Sequence, residues 1–213
     1  MAAPTQTGRF GDYTQTFTGV KFYPLDPRPE EVCVEDIAHH LALVCRFGGA
    51  VREPYSVAQH SCLVADYVGT VETTDRQVRL AALLHDATEA YCGDMVRPLK
   101  RNMTEYKAAE ERIAVAIARR FGLPVTTCSC PHDWPAAHHV NTCIGDDPRW
   151  VMPASVKRGD NIILATEARD LMGKCGREWG FVAEPLLGRI RPWTWRRARL
   201  EFLTRFDDLG GIR

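Results

Sequence analysis

A histidine followed directly by an aspartate interrupts an otherwise apolar stripe in the stretch 80–100, LAALLHDATEAYCGDMVRPLK. Leu80, Leu83, Leu84 and Ala87 recur at helical spacing and predict a core face. His85 and Asp86 add nothing to the packing of that face. An unpaired charge in apolar surroundings is costly, so the doublet calls for a partner or a cation. Glu89 follows His85 by four positions and Asp86 by three, which on a helix puts all three side chains on one side. One turn then offers two ligands and an acid/base group. The plainer alternative is a satisfied His–Asp hydrogen bond in the core.

Two more residues can complete a ligand shell. His60 shares an apolar stripe with Val57, Leu63, Val64 and Val68, and Asp160 interrupts the apolar positions Val156, Ile163, Leu164, Ala168 and Leu171. Taken singly, the first is an ordinary core histidine and the second a solvent-facing or capping carboxylate. Taken with His85 and Asp86, they supply two imidazoles and two carboxylates from three predicted helices. Two nitrogens and two oxygens with room for water suit Mn²⁺, Fe²⁺, Co²⁺, Ni²⁺ or Zn²⁺ better than an all-oxygen Mg²⁺ site. Such a centre polarises a phosphoryl oxygen and acidifies bound water, so phosphoester hydrolysis is its natural chemistry. Glu89 is then placed to hold or deprotonate that water.

The elements that must position these residues follow from periodicity. Residues 34–46 predict a helix with Ile37, Leu41, Val44 and Cys45 on one face, ended by Gly48-Gly49. Ser56 is an N-cap for a second helix over 57–68, and 76–91 is a third, carrying the doublet. Gly93 and Pro98 mark a turn, after which 104–121 forms a long helix stopped by Gly122 and Pro124. Helical periodicity returns over 155–172 and again in the basic amphipathic stretch 193–206, where Trp195, Leu200, Leu203 and Phe206 are candidates to cover the core. Ahead of these, residues 8–26 alternate loosely around Tyr13, Phe17, Val20 and Phe22 and predict a short hairpin or extended arm. The adjacent His39 and His40 lack a matching carboxylate and fit surface or packing roles. The run Glu110-Glu111-Arg112 fits a solvated face.

The pattern predicts an all-α chain with one domain over residues 1–213, long enough for a sizeable core. The stretch 125–153 has no clear period and reads as an insertion, lid or loop. Its Cys128, Cys130, His132, His138, His139 and Cys143 offer zinc ligands, although the CxCxH spacing is tighter than the usual CxxC. Twenty-seven basic residues balance 27 acidic ones, and no basic stripe stands out, which weighs against nucleic acid as the partner. No apolar run reaches the roughly 18 residues of a membrane span. The N-terminus lacks the order of a signal peptide, and several of the eight cysteines fall within helical patterns, so the expected location is the cytoplasm with reduced thiols.

Four blocks stand in order: Arg46-Phe47 after the first helix, SVAQHS around His60, HDATEAYCGDMVRPLK from His85, and VKRGD ending at Asp160. Together they resemble the H…HD…D signature of the HD-domain phosphohydrolases, in particular the bacterial HD-type 5′-deoxynucleotidases and the phage dATP triphosphohydrolases. The resemblance covers 34–172, apart from the irregular stretch. It implies an HD-domain helical bundle with His60, His85, Asp86 and Asp160 as metal ligands and Glu89 assisting the nucleophilic water. It also implies phosphate contacts from Arg46, Lys100 and Lys157, with Asp94 near the sugar. Phe47 stands where the nucleotidase relatives often carry tryptophan, which alters the contacts expected with a base. Three cations suit a long phosphate, so the leading expectation is cleavage of dATP, or another dNTP, to deoxynucleoside and triphosphate. A 5′-deoxynucleotidase acting on dNMPs is the alternative, and a non-catalytic, zinc-stabilised binding module is a second. The resemblance further implies a homo-oligomer that takes a small-molecule nucleotide, and it leaves open whether a second Mg²⁺ joins through substrate phosphates. If the chain is phage-encoded, the compartment is the host cytoplasm.

Overall fold

Apolar residues at three- and four-residue spacing become helices that bury them, and the chain is mostly helical in this computed structural model, which describes residues 8–126, 148–174 and 183–212. The two-residue antiparallel strands β1 (Thr14–Gln15) and β2 (Lys21–Phe22) form the expected hairpin arm. They precede α1 (Val34–Leu43), α2 (Val57–Tyr67) and α3 (Arg76–Leu84), followed by the short α4 (Glu89–Cys92) and α5 (Arg97–Lys100). The long α6 (Thr104–Arg120) leads to β3 (Val125–Thr126), which pairs antiparallel with β4 (Arg149–Trp150). Two further helices complete the described chain, α7 (Ala154–Leu171) and α8 (Trp195–Asp208). Among the described residues no helix is long and apolar enough to cross a membrane.

Helix α2 is central, packing on α1, α3, α7 and α8. Its Val57, Ala58, Val64 and Ala65 are buried, and the small alanines let neighbouring backbones approach. Ser56 caps its start: the Oγ accepts the Gln59 N–H at 3.2 Å. Replacing Ser56 by alanine is expected to cost about 1 kcal/mol of stability, read from denaturant unfolding; no measurable loss would mean that the cap does not hold α2. Helix α8 closes the bundle with Ala198, Phe202 and Phe206, all fully buried. This corrects part of the predicted face: Phe206 is buried and Leu203 packs against the core as expected, while Trp195 and Leu200 are exposed. The Arg205 guanidinium fixes the docking, donating to both Asp66 carboxylate oxygens at 2.9 and 2.8 Å.

Three other boundaries or faces differ from the sequence expectation. Helix α1 stops at Leu43 because the chain after it turns extended: Val57 N–H donates to Val44 O at 3.0 Å and Arg46 N–H to Tyr55 O at 2.9 Å. Residues Arg46–Gly49 then form a tight turn in which Phe47 takes a left-handed φ of 59°. Non-glycine residues seldom adopt that conformation, and the Asp94 carboxylate holds it by accepting the Phe47 N–H at 3.2 Å. The predicted helix 76–91 is broken at the doublet. Ala87 N–H bonds Leu84 O, and Glu89 N–H bonds Asp86 O, three residues back rather than four, which tightens the chain into a turn between α3 and α4. Finally, Glu110 is not merely solvated; its Oε1 pairs with Lys100 and accepts from Thr88 Oγ1.

His39 and His40 have the packing roles expected of them. His39 stacks on Phe17 with ring centroids 3.8 Å apart, and His40 joins the arm to the bundle. Its Nδ1–H donates to Ala90 O at 2.6 Å while Nε2 accepts the Phe17 N–H at 3.1 Å.

Candidate metal centre

Three segments deliver the ligand atoms. His60 sits in the first turns of α2 and is fully buried, His85 and Asp86 occupy the turn after α3, and Asp160 lies on α7. His60 Nε2 is 3.1 Å from His85 Nε2, 3.2 Å from Asp160 Oδ1 and 3.5 Å from Asp86 Oδ2. His85 Nε2 lies 3.2 Å from Asp86 Oδ2. One ligand atom from each of His60, His85 and Asp86 falls within 4.8 Å of the others, a group that could hold a metal ion. Asp160 joins them through His60.

The opposite face of each imidazole fixes which nitrogen is free. His60 Nδ1 is 2.6 Å from Glu167 Oε1, and His85 Nδ1 is 2.8 Å from Ala82 O. A carboxylate and a carbonyl oxygen only accept, so each Nδ1 carries the proton, and each neutral ring turns a lone pair outward from Nε2. Two lone pairs facing at this distance repel unless a proton or a cation lies between them. The donor set therefore fits a divalent ion with nitrogen and oxygen preferences.

The electrostatics agree. Burial and the Arg46 charge press the His60 imidazole down, but Glu167 and Asp160 outweigh them and lift it to about 9. Burial would raise Asp86, yet His85, His60 and Arg46 hold it below the usual carboxylate range. Asp160 is lowered in the same way, by His60 and His85 against the effect of burial. A proton thus occupies His60 in the metal-free chain up to about pH 9. The folded pKa lies above the unfolded one, so this proton stabilises the metal-free fold below about 6.5, and the benefit disappears as pH rises through 9. Metal must displace that proton. Co²⁺ affinity is expected to climb by roughly tenfold per pH unit between 6.5 and 9; a flat titration series over that range would contradict the assignment.

Asp86 and Asp160 open on a cleft of about 1330 Å³, whose wall also includes Arg46, Phe47, Glu89, Asp94 and Lys100. The fold thus gathers most of the residues predicted to meet a substrate. Glu89 is buried, and among the described residues its Oε2 has no hydrogen-bond partner. Burial together with Asp86 and Asp94 pushes its carboxyl well above the ordinary range. Asp94 is also raised, by burial and by Asp86 against the pull of Arg46. Lys100 is paired with Glu110, which outweighs burial and raises its pKa. Lys157 is exposed at the start of α7 and is not part of the cleft wall. It sits one step around the helix from Arg158, which is. The Cys/His set of 128–143 lies outside the described residues.

Glu167 is the functional candidate that sequence reasoning missed. It is fully buried, and besides His60 it accepts Tyr55 OH at 2.8 Å and Arg46 Nε at 3.2 Å. The signal was present: Val156, Asp160, Ile163, Glu167 and Leu171 form one stripe, with the second carboxylate two turns beyond the first. Tyr55, just ahead of the α2 cap, gave no such signal.

Fold and site define a mostly helical protein with a histidine–aspartate cluster able to hold a metal. The chain is 35% identical over 205 residues to the uncharacterized protein YfdR of Escherichia coli, across 94% of this chain and 97% of that protein, and it belongs to the YfdR family. It is also 40% identical over 116 residues to the uncharacterized protein RCAP_rcc00048 of Rhodobacter capsulatus, covering 53% of this chain and 59% of that one. No protein-family model matches the chain.

Proposed function

We propose that this chain is a metal-dependent phosphohydrolase of the HD type that acts on deoxynucleotides. The observation that carries the reading is the pair of imidazole Nε2 atoms facing each other at 3.1 Å beside two carboxylates that open on a large cleft. The ordered H…HD…D blocks support the same class. His60, His85, Asp86 and Asp160 would hold the ion. A divalent cation there supplies Lewis-acid polarisation of a phosphoryl oxygen and acidifies bound water.

The remaining steps belong to the side chains. Glu89, buried without a partner for Oε2 among the described residues and with its carboxyl made more basic by burial and by Asp86 and Asp94, takes the proton of the attacking water and returns it to the leaving 5′ oxygen. Arg46 and Lys100 face the phosphate. Asp94, fixed by the Phe47 N–H, meets the sugar, and the half-buried Phe47 ring lies beside the base. Replacing Glu89 by glutamine is expected to keep the bound metal but lower kcat by about 10²–10⁴-fold, as measured by phosphate release. Unchanged turnover would remove Glu89 from the mechanism.

The distribution of cations favours a short phosphate. Arg46 is bound to Asp86 and Glu167, Lys100 to Glu110, and Lys157 does not line the cleft, so the positive charge beside the ligands is largely balanced. Removal of phosphate from a deoxynucleoside monophosphate is therefore the preferred activity. Arg97, Arg101 and Lys107 also line the cleft and favour the second reading, hydrolysis of dATP or another dNTP to triphosphate. Incubation of pure protein and Co²⁺ with each dNMP and dNTP, with phosphate resolved from triphosphate, separates the two. Release of triphosphate alone would reverse the preference, and no hydrolysis of any nucleotide would refute the class.

A further inference from the structure

We propose that Glu167 is the residue that positions the metal centre, locking His60 with Nε2 turned to the ligand cluster and anchoring the Arg46 that reaches Asp86. This rests on the metal reading above. Glu167 Oε1 receives His60 Nδ1–H at 2.6 Å and Tyr55 OH at 2.8 Å, while Oε2 receives Arg46 Nε and Nη2, each at 3.2 Å. Four donor groups from three side chains converge on one carboxylate that has no exposure to solvent. Its stripe neighbours Ile163 and Leu171 are apolar and buried, and a leucine in its place would pack among them without the cost of a buried charge. What a leucine cannot do is orient polar groups.

The orientation has a specific consequence. An imidazole whose Nδ1–H is held by a carboxylate cannot flip, so its Nε2 is committed to the metal side and made a stronger donor. The Arg46 guanidinium held by the same carboxylate also donates through Nη1 to Asp86 Oδ2 at 3.2 Å. One nitrogen ligand and one oxygen ligand are thus set through groups that Glu167 holds. Glu167 itself does not line the cleft, so it acts through His60 and Arg46 rather than on substrate.

The test is Co²⁺ binding to the full chain, without nucleotide, followed by visible absorption. Glu167→Gln keeps the volume but removes the charge paired with Arg46 and His60 and replaces one accepting oxygen by an NH₂ group that cannot accept from them. It is expected to weaken Co²⁺ binding by about 10–100-fold and to shift the absorption bands while leaving a cooperative thermal transition. Tyr55→Phe removes one donor to Glu167 but leaves the His60 and Arg46 bonds to that carboxylate in place, so its Co²⁺ affinity should stay within about threefold of wild type. Wild-type binding by Glu167→Gln would overturn the proposal and leave the metal reading standing. Wild-type protein that takes up neither Co²⁺ nor Zn²⁺ would instead refute the metal reading, and this proposal with it. Should Glu167→Gln fail to fold, long-range proton–nitrogen NMR of the Zn²⁺-loaded wild type decides. A His60 proton on Nδ1 with zinc on Nε2 supports the proposal, and the reverse tautomer overturns it.

Discussion

Under the proposed function, purified His85→Ala protein should retain no stoichiometric metal and should hydrolyse deoxynucleotides at least about a thousandfold more slowly than wild type. The substitution deletes one of the two facing nitrogens, and the partner across 3.1 Å, His60, cannot replace it because Glu167 holds its other face. Asp86 keeps its contacts with Arg46 and His60, so the neighbouring charges remain paired and the fold should survive. The structural loss is the hydrogen bond from His85 Nδ1 to Ala82 O, worth about 1 kcal/mol, together with the Nε2 contacts to His60 and Asp86. Elemental analysis and a melting curve on the same sample separate the two effects. Metal retained at one equivalent with activity intact would show that the doublet is only a satisfied core pair.

The second large effect is on stability. Phe202→Ala, in the middle of α8, is expected to cost about 3–5 kcal/mol, since the ring is fully buried and its removal leaves a cavity that the surrounding helices fill only in part. Helix α8 packs against α1, α2 and α3, so the cavity loosens the helix that carries His60 together with two of its neighbours. Phe206 and Phe121, edge to face at 5.1 Å, remain to hold the end of the helix. Leu200→Ala on the same helix is the control. That side chain is 66% exposed, and its loss should move stability by no more than about 0.5 kcal/mol. Equal destabilisation by both changes in urea titrations would mean that the α8 face is assigned wrongly.

Much of this protein could be read without its tertiary structure. Helical spacing located α2, α6 and α7 to within a residue or two, and Ser56 marked the start of α2, because apolar period and capping chemistry are local properties of the chain. The ligand candidates were legible for a related reason: His60, the His85-Asp86 doublet and Asp160 are polar groups in apolar stripes, where mere packing does not explain them. Their convergence was not legible. It depends on α2 being packed between α3 and α7, a long-range arrangement that no local window contains.

The tertiary structure alone decided four further matters. Helix α3 ends at Leu84 because His85 Nδ1 and two tightened backbone bonds compete with helical continuation, an outcome that apolar period cannot register. The face of α8 was fixed by which side met α1 and α2, and packing selected Ala198 and Phe202 over Trp195 and Leu200. Lys157 and Arg158 differ in role by one step around a helix, and only the position of the cleft tells them apart. Glu167 lay on the visible stripe of Asp160, but the donors that make a buried charge tolerable, Arg46, Tyr55 and His60, come from residues about a hundred positions earlier. Sequence fixes what each residue can donate, accept or bury; which partners are within reach is a property of the folded chain, because desolvation and hydrogen bonding act over a few ångströms of space and not along the backbone.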